Sequence, residues 1–350
     1  MRIGFTTGSA VSAAAKAAIL RISGKKLKNV NIPLPDGSRM SIPVRESRIT
    51  GKNKAYAEVI KDSGDDPDVT DGIRIMCFVE ITEGNRIRIE AGKGIGIVTK
   101  PGLPVPVGSP AINPYPRRQI REAIIEGLKE AGLFPSSVKV RIEIPEGEKI
   151  AKKTLNPKLG IVGGISILGT RGTVIPFSHE AYKRTIEVEL DFAISNGAEK
   201  IVFVTGGRTE RFSKRIYREL KDFCFIQIGD FFGFCLEQAA KRSLKHIIFS
   251  CLFGKLIKIA QGASFTHVKE SQIDFSLLSE WCNVFGLKIK NPNTALQAFE
   301  MIKNSEDSEK VFSFILEKAI LNARKYISPY QKITFNLFDY TGNLICQKEG

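Results

Sequence analysis

Five carboxylates fall within one short run, Lys61-Asp62-Ser63-Gly64-Asp65-Asp66-Pro67-Asp68-Val69-Thr70-Asp71-Gly72, in a chain whose formal net charge is +15. Carboxylates held this close repel one another, so cations, backbone N–H groups or a bound ligand must offset the repulsion. Groups tuned by such neighbours are suited to proton transfer or to stabilising a cation. A solvated polar turn is the competing reading, and the density of special residues favours a site. The flanking segments say what carries the run. Ala55, Ala57 and Val59 precede it, and Ile73, Ile75, Cys77, Val79 and Ile81 follow it, each set at every second position. That period of two marks half-buried strands. Gly64 and Gly72 admit backbone angles that other residues avoid, and Asp66-Pro67-Asp68 suits a type I turn. The run is therefore expected to form a structured acidic bend between two paired strands.

Length and composition bound the rest. A chain of 350 residues, 43% hydrophobic and 25% charged, fits an ordinary globular protein of two domains. No apolar run reaches membrane-spanning length, and the first residues lack the layout of a signal peptide, so no membrane and a cytoplasmic location are expected. Six cysteines (77, 224, 235, 251, 282 and 346) form no C-x-x-C pair and read as reduced core thiols. Three histidines far apart make a protein metal site an unpromising expectation. A basic excess suits nucleic acid, an anionic surface or an anionic small molecule. The Lys and Arg residues are spread without a basic tail or aromatic-interleaved ribbon, which argues against nucleic acid.

Residues 6–22 read as an alanine-rich helix capped by Thr7 or Ser9, with an N-terminus open to an anion. A hairpin signal at Pro35-Asp36-Gly37, the two strands about the acidic run, and a further strand through Ile87 and Ile89 follow. Gly92-Lys93-Gly94-Ile95-Gly96 lacks dinucleotide spacing and precedes a Pro-rich stretch, so it reads as a bend. A helix over 118–131 ended by Gly132 and a strand over 138–144 complete an α+β, mainly antiparallel first domain, residues 1–157. The second domain, 158–350, changes rhythm. Apolar strands at 160–168, 200–205, 223–228 and 246–251 alternate with helical patterns, which predicts an α/β Rossmann-like domain with a parallel sheet, then C-terminal helices and strands. Glycines at the strand ends (Gly169-Thr170, Thr205-Gly206-Gly207, Gly229-Asp230) lie where such sheets bind ligands. His267 follows a strand–Gly–helix unit on the same side. The residues alone leave a nucleotide- or NAD(P)-using enzyme and a basic nucleic-acid-binding protein open as alternatives.

Taken together these motifs resemble one family, the cobalt-precorrin-5B (C1)-methyltransferases of anaerobic corrin biosynthesis, the CbiD family. The resemblance rests on Gly4-Phe5-Thr6-Thr7-Gly8 before the helix carrying Lys16, on the run from Lys61 to Thr70, on Gly94-Ile95-Gly96-Ile97-Val98-Thr99-Lys100-Pro101-Gly102-Leu103, and on Pro110-Ala111-Ile112-Asn113-Pro114. It continues through Gly164-Ile165-Ser166-Ile167-Leu168-Gly169-Thr170 and Gly254-Lys255-Leu256 with Lys258, Ala260, Gly262, Thr266 and His267. Ser9-Ala10 departs from a usual Thr-Cys, Asp71 from His, Ser109 from Glu, Asp230 from Asn, and Cys251-Leu252 from Gly-His.

The resemblance implies methyl transfer from S-adenosylmethionine to carbon 1 of cobalt-precorrin-5B, giving cobalt-precorrin-6A. Cobalt would arrive inside this polycarboxylate substrate, whose charge a basic chain could hold. Asp62, Asp65, Asp66, Asp68 and His267 are then the catalytic candidates. Gly169, Thr170, Thr205, Gly206, Gly207 and Asp230 would hold the cofactor. Thr6, Thr7, Gly8, Lys61, Lys100, Asn113 and Arg117 would hold the substrate. A homo-oligomer is compatible with this reading.

Overall fold

Strand β1 (Gly4–Phe5) runs directly into helix α1 (Thr7–Ile22), every residue of which from Thr7 to Leu20 is buried. Alanine and serine make this possible, because small side chains let neighbours approach a helix from all sides. The N-cap is Thr6, one residue before the expected Thr7, and its Oγ1 accepts the Ser9 N–H at 3.2 Å. In this computed structural model, which describes residues 1–290 and 292–350, the chain divides into two units, Met1–Ser178 and His179–Gly350.

The first unit continues through β2 (Asn29–Pro33), β3 (Arg39–Pro43), β4 (Glu46–Gly51), β5 (Lys54–Ile60), β6 (Arg74–Thr82), β7 (Ile87–Ala91), β8 (Gly94–Ile95) and β9 (Ile97–Val98). Then come α2 (Pro114–Ala131), β10 (Ser137–Glu143), α3 (Gly147–Ala151), β11 (Ile161–Val162), β12 (Gly164–Ile165) and β13 (Thr173–Val174). Its main sheet has the order β4-β5-β6-β10-β7, antiparallel except for the β10–β7 pair. Ile75, Cys77, Val79 and Ile81 of β6 face the core as their alternation predicts. Helix α1 packs on β5 and β6 and against α2. Helix α2 starts four residues before the expected 118. Pro114 and Pro116 occupy its first turn, where no N–H is required, so these prolines open the helix.

Two expectations fail at the end of this unit. The apolar run 160–168 is no strand of the parallel sheet, and the boundary does not fall at 157. Instead β11 pairs with β9, β12 with β8 and β13 with β1, which ties residues 158–178 to the first unit. A short apolar run specifies burial, and its partner is chosen by backbone hydrogen bonding that periodicity does not encode.

The second unit contains α4 (His179–Ser195), β14 (Lys200–Val204), α5 (Gly207–Ile216), β15 (Phe225–Gln227), α6 (Phe232–Lys241), β16 (His246–Leu252), α7 (Phe253–Ala260), α8 (Phe275–Asn283), α9 (Ala295–Lys303), α10 (Ser308–Ala323), β17 (Lys332–Phe338) and β18 (Leu344–Glu349). The sheet order is β15-β14-β16-β17-β18, parallel but for β17–β18. From β14 the chain goes outward to β15, then returns to β16 on the other side of β14. Phe203, Phe225, Phe249 and Phe335 fill the strands, with the Phe249 and Phe335 rings 5.1 Å apart. Each buried ring contributes about 1.5–3 kcal/mol from area alone. Helix α8, capped by Asp274, was not anticipated. All six cysteines are free thiols, five of them buried. Among the described residues no helix is long and apolar enough to cross a membrane, and no His, Cys, Asp or Glu cluster is grouped to hold a metal ion.

Two predictions follow from the first unit's packing. A β-carbon at Gly94 would lie 1.9 Å from the Ile144 carbonyl oxygen at φ +77, whereas at Gly163 (φ +85) it would meet open space. Gly94→Ala should therefore cost more than about 3 kcal/mol, and Gly163→Ala only about 1–2 kcal/mol from backbone strain. Denaturant unfolding of both variants measures the difference. The second concerns acid. Arg39 grips Glu126 with two hydrogen bonds at 2.9 and 2.8 Å, and buried Lys16 reaches the same carboxylate at 3.1 Å. Arg39's hydrogen bonding, then Lys16, hold Glu126 down at about 2 against the opposing effect of burial. A depressed folded pKa means this contribution is complete above the ordinary carboxylate range near ~4.3 and vanishes as pH falls towards 2. Unfolding midpoints measured from pH 6 to pH 2 should fall less steeply in Glu126→Gln than in the wild type.

Candidate active site

The acidic run does join β5 to β6, closed by Lys61 N–H to Ile73 O at 3.0 Å and Gly72 N–H to Lys61 O at 2.9 Å. Its carboxylates are individually occupied. Asp62 accepts the Gly64 N–H at 2.8 Å and the Arg2 guanidinium, and Asp65 accepts the Arg2 N–H at 2.6 Å. Asp66 accepts the Phe177 N–H at 3.2 Å, and Asp71 accepts the Ser63 N–H at 2.7 Å. Asp68 accepts from Thr70 N–H at 2.8 Å and from the Lys61 ammonium at 2.7 Å. The Arg2 hydrogen bond chiefly holds the Asp62 carboxyl below its usual range. Burial works to raise Asp68, but the Lys61 charge and the hydrogen bonds from Lys61 and Thr70 together keep it low. Carboxyls held low are weak bases at neutral pH, so Asp62 and Asp68 act as clamps.

What they clamp is the N-terminal segment. Phe5 N–H donates to Asp62 O at 2.8 Å, Asp65 N–H to Arg2 O at 3.0 Å, and Ile3 bridges Gly64. On the other side β1 pairs with β13, and Thr6 N–H donates to Gly172 O at 3.0 Å. Thr7 Oγ1 donates to Leu168 O at 3.1 Å and accepts the Leu168 N–H at 3.0 Å. The Gly8 N–H also reaches Leu168 O, at 3.3 Å, while Asn113 N–H donates to Ile167 O at 3.0 Å. Thus Thr6, Thr7, Gly8, Asn113 and the 167–172 segment meet, and Gly169 leaves so little room that a β-carbon would be 2.5 Å from Thr6.

Several expected roles change. Gly169 and Thr170 belong to this first-unit cluster, not to strand ends of the parallel sheet, because β12 pairs with β8. The Gly8 and Ser9 amides at the start of α1 are satisfied by Leu168 O and Thr6 Oγ1, so these two are not open to an anion. Lys61 is buried, with its ammonium engaged by Asp68 and Ser63, and shapes the loop rather than facing a substrate. Lys100 lays its stem against Gly160 beside the Thr99–Gly160 hydrogen bond. Arg117 is half-buried and closes the first turn of α2 onto Asn113 O at 3.0 Å.

In the second unit, Thr205-Gly206-Gly207 links β14 to α5, and Gly229-Asp230 follows β15. Thr209 Oγ1 accepts the Gly206 N–H at 3.2 Å and fixes the start of α5. The Gly206 φ of 165 is extended backbone, so no conformational need requires glycine there. A β-carbon at Gly206 would meet nothing within 4 Å. Asp230 is bonded by the Lys255 ammonium, and Thr266 Oγ1 donates to it at 2.9 Å. Burial, helped by Lys258, pushes Lys255 down to about 8. His267 accepts the Lys269 N–H at 3.3 Å and stacks on Phe265 at 6.0 Å. Phe265 in turn lies 5.0 Å from Phe231 and 5.4 Å from His179. The Lys255–Asp230–Thr266 group escaped the sequence reading. Its members are far apart along the chain, and only their place within the motifs of the resemblance hinted at them.

Comparison with known proteins places this geometry in a family. The model described as CbiD matches residues 1–176, and that described as CbiD, C-terminal domain, matches residues 265–349. The chain is 41% identical to the cobalt-precorrin-5B C(1)-methyltransferase of Geobacillus sp. (strain WCH70), covering 99% of this chain and 96% of that one. It is 40% identical to the protein of that name from Priestia megaterium, with the same coverage. A 1.9 Å crystal structure of cobalamin biosynthesis protein (cbiD) from Archaeoglobus fulgidus is 29% identical, covers 73% of this chain and 78% of that one, and gives a TM-score of 0.42. With the CbiD model matching half of the chain and relatives at this identity covering nearly all of it, the chain belongs to the CbiD family.

Proposed function

We propose that the protein transfers the methyl group of S-adenosylmethionine to carbon 1 of cobalt-precorrin-5B, with cobalt carried in by the substrate. The observation that carries this reading is the identity of about two residues in five over nearly the whole chain to relatives named for that reaction. We read the second unit as Rossmann-like and as the holder of the cofactor. In support, its strand order reverses at β14, and ligands of open parallel sheets bind beyond the carboxyl ends of strands at such a reversal.

The residues at that edge fit the cofactor. Gly206 and Gly207 are glycines that the fold itself does not demand, since a β-carbon at either would find room. Their absence of side chain is explained by a ligand lying against the backbone. Asp230, held in place by Lys255 and Thr266, would accept hydrogen bonds from ribose hydroxyls. S-adenosylmethionine, when bound, supplies an electrophilic methyl group on a sulfonium. The chain's own contribution is positioning and exclusion of water, which suits a methylation at carbon that needs little covalent help. In the first unit the carboxylate clamps fix the segment from Arg2 to Gly8 together with 167–174. Among the catalytic candidates, Asp62, Asp65, Asp66 and Asp68 are assigned to holding that frame, and His267 to the aromatic surface beside Asp230. The free thiols accord with a reducing, cytoplasmic setting.

Two outcomes test this reading. Gly206→Val should weaken S-adenosylhomocysteine binding at least about tenfold in calorimetry, since a branched side chain fills the approach, while the unfolding midpoint stays near that of the wild type. Undiminished affinity in this variant removes the strand-end site. If the excess of 15 positive charges holds a polycarboxylate, the substrate KM should rise as salt is raised from 50 to 500 mM, with cofactor affinity changing less. A KM independent of salt leaves the charge without a role in substrate binding.

A further inference from the structure

Phe177 combines three features that oppose one another unless something else uses its ring. Its φ is +55, in the left-handed region that a bulky side chain disfavours. Its surface is 70% exposed, so the ring adds nothing to the core. Its N–H is held by the Asp66 carboxylate, 111 residues away in sequence. Among the described residues the other non-glycine positions at positive φ are Asn53 and Ser243, small polar side chains that suit a turn. Pro176, immediately before, is buried and anchors the segment. A turn here would be easier with Gly or Asn, yet the chain keeps an aromatic ring in water on a strained backbone. Strain held in place by a distant side chain is a mark of a presented group.

The neighbouring backbone supports what the ring meets. Phe177 follows β13, which pairs with β1, and the same frame carries Leu168, Ile175 and Ile3, all of them substantially exposed apolar residues. Gly4 lies opposite Val174, which brings Ile3 and Ile175 to the adjoining rung. Apolar side chains and one ring suit the face of a large, partly conjugated macrocycle, whose carboxylates lie at its rim. We propose that Phe177 is a substrate-contacting residue that lays its ring on the apolar face of the macrocycle, and that Asp66 is the positioning residue that holds it there. This rests on the function proposed above. It replaces proton transfer by Asp66 with a hydrogen bond that a neutral amide oxygen can also accept.

The test uses the full chain and compares Phe177→Gly, Phe177→Leu, Asp66→Asn and Asp66→Ala with the wild type in methyl transfer to cobalt-precorrin-5B. Phe177→Gly should unfold no earlier than the wild type, because glycine relieves the backbone, yet raise the substrate KM about tenfold with little change in kcat. Phe177→Leu should lie between them. Asp66→Asn should stay within about threefold of the wild type, and Asp66→Ala should reproduce the KM of Phe177→Gly. S-adenosylhomocysteine affinity should be unchanged throughout. A KM in Phe177→Gly within twofold of the wild type overturns the proposal, as does a loss of cofactor affinity in its place. Wild-type protein without turnover overturns the functional reading instead. The ring contact is then read by equilibrium dialysis of the same compound without cofactor, where equal binding by wild type and Phe177→Gly overturns it.

Discussion

The first unit depends on one close approach. A β-carbon at Gly4 would sit 2.2 Å from the Ser63 carbonyl carbon, so the backbones of β1 and the acidic loop touch with nothing between them. From that contact follow the Arg2–Asp65 and Phe5–Asp62 hydrogen bonds, the pairing of β1 with β13, and the fixed start of α1. The carboxylates make the approach tolerable. Each of the four carboxylates other than Asp68 accepts a backbone N–H, and Asp68 accepts both an N–H and a buried ammonium. Charge that looks repulsive along the sequence is thus distributed among separate donors.

A second use of charge appears in the second unit. The Lys255 ammonium is partly withdrawn from water, and its pairing with Asp230 and Thr266 joins the end of β15 to α7. Losing one member of such a pair leaves the other charge unmatched, so the group acts as a fixed joint at the carboxyl edge of the sheet. The phenylalanine core behind it, with Phe232, Phe249 and Phe335 in mutual contact, keeps the strand ends rigid.

Methyl transfer to carbon places its demands on geometry more than on acid–base chemistry. The structure offers such geometry in a loop whose carboxylates each hold a donor. On the reading proposed above, the glycines at the end of β14 and the exposed ring of Phe177 would serve the same end. None of them needs a proton-transferring residue with a shifted pKa in the first unit.

The sequence by itself determined the elements with strong local signals. Alternation of Ile75, Cys77, Val79 and Ile81 gave β6, alanine content gave α1, and Gly132 closed α2 with φ +71. The bend between β5 and β6, the apolar strands β14, β15 and β16 each followed by a helical pattern, and the candidate glycines at the end of β14 were legible for the same reason. Each is a pattern within one stretch of chain. Only the tertiary structure decided partners. It assigned residues 158–178 to the first unit, turned Lys61 inward, tied the first turn of α1 to Leu168, and joined Lys255 to Asp230 and Asp66 to Phe177. These links connect residues that are as much as 161 positions apart, as between Thr7 and Leu168. Local propensity carries no term for such distances, because the hydrogen bonds that fix them exist only once the separate elements have packed.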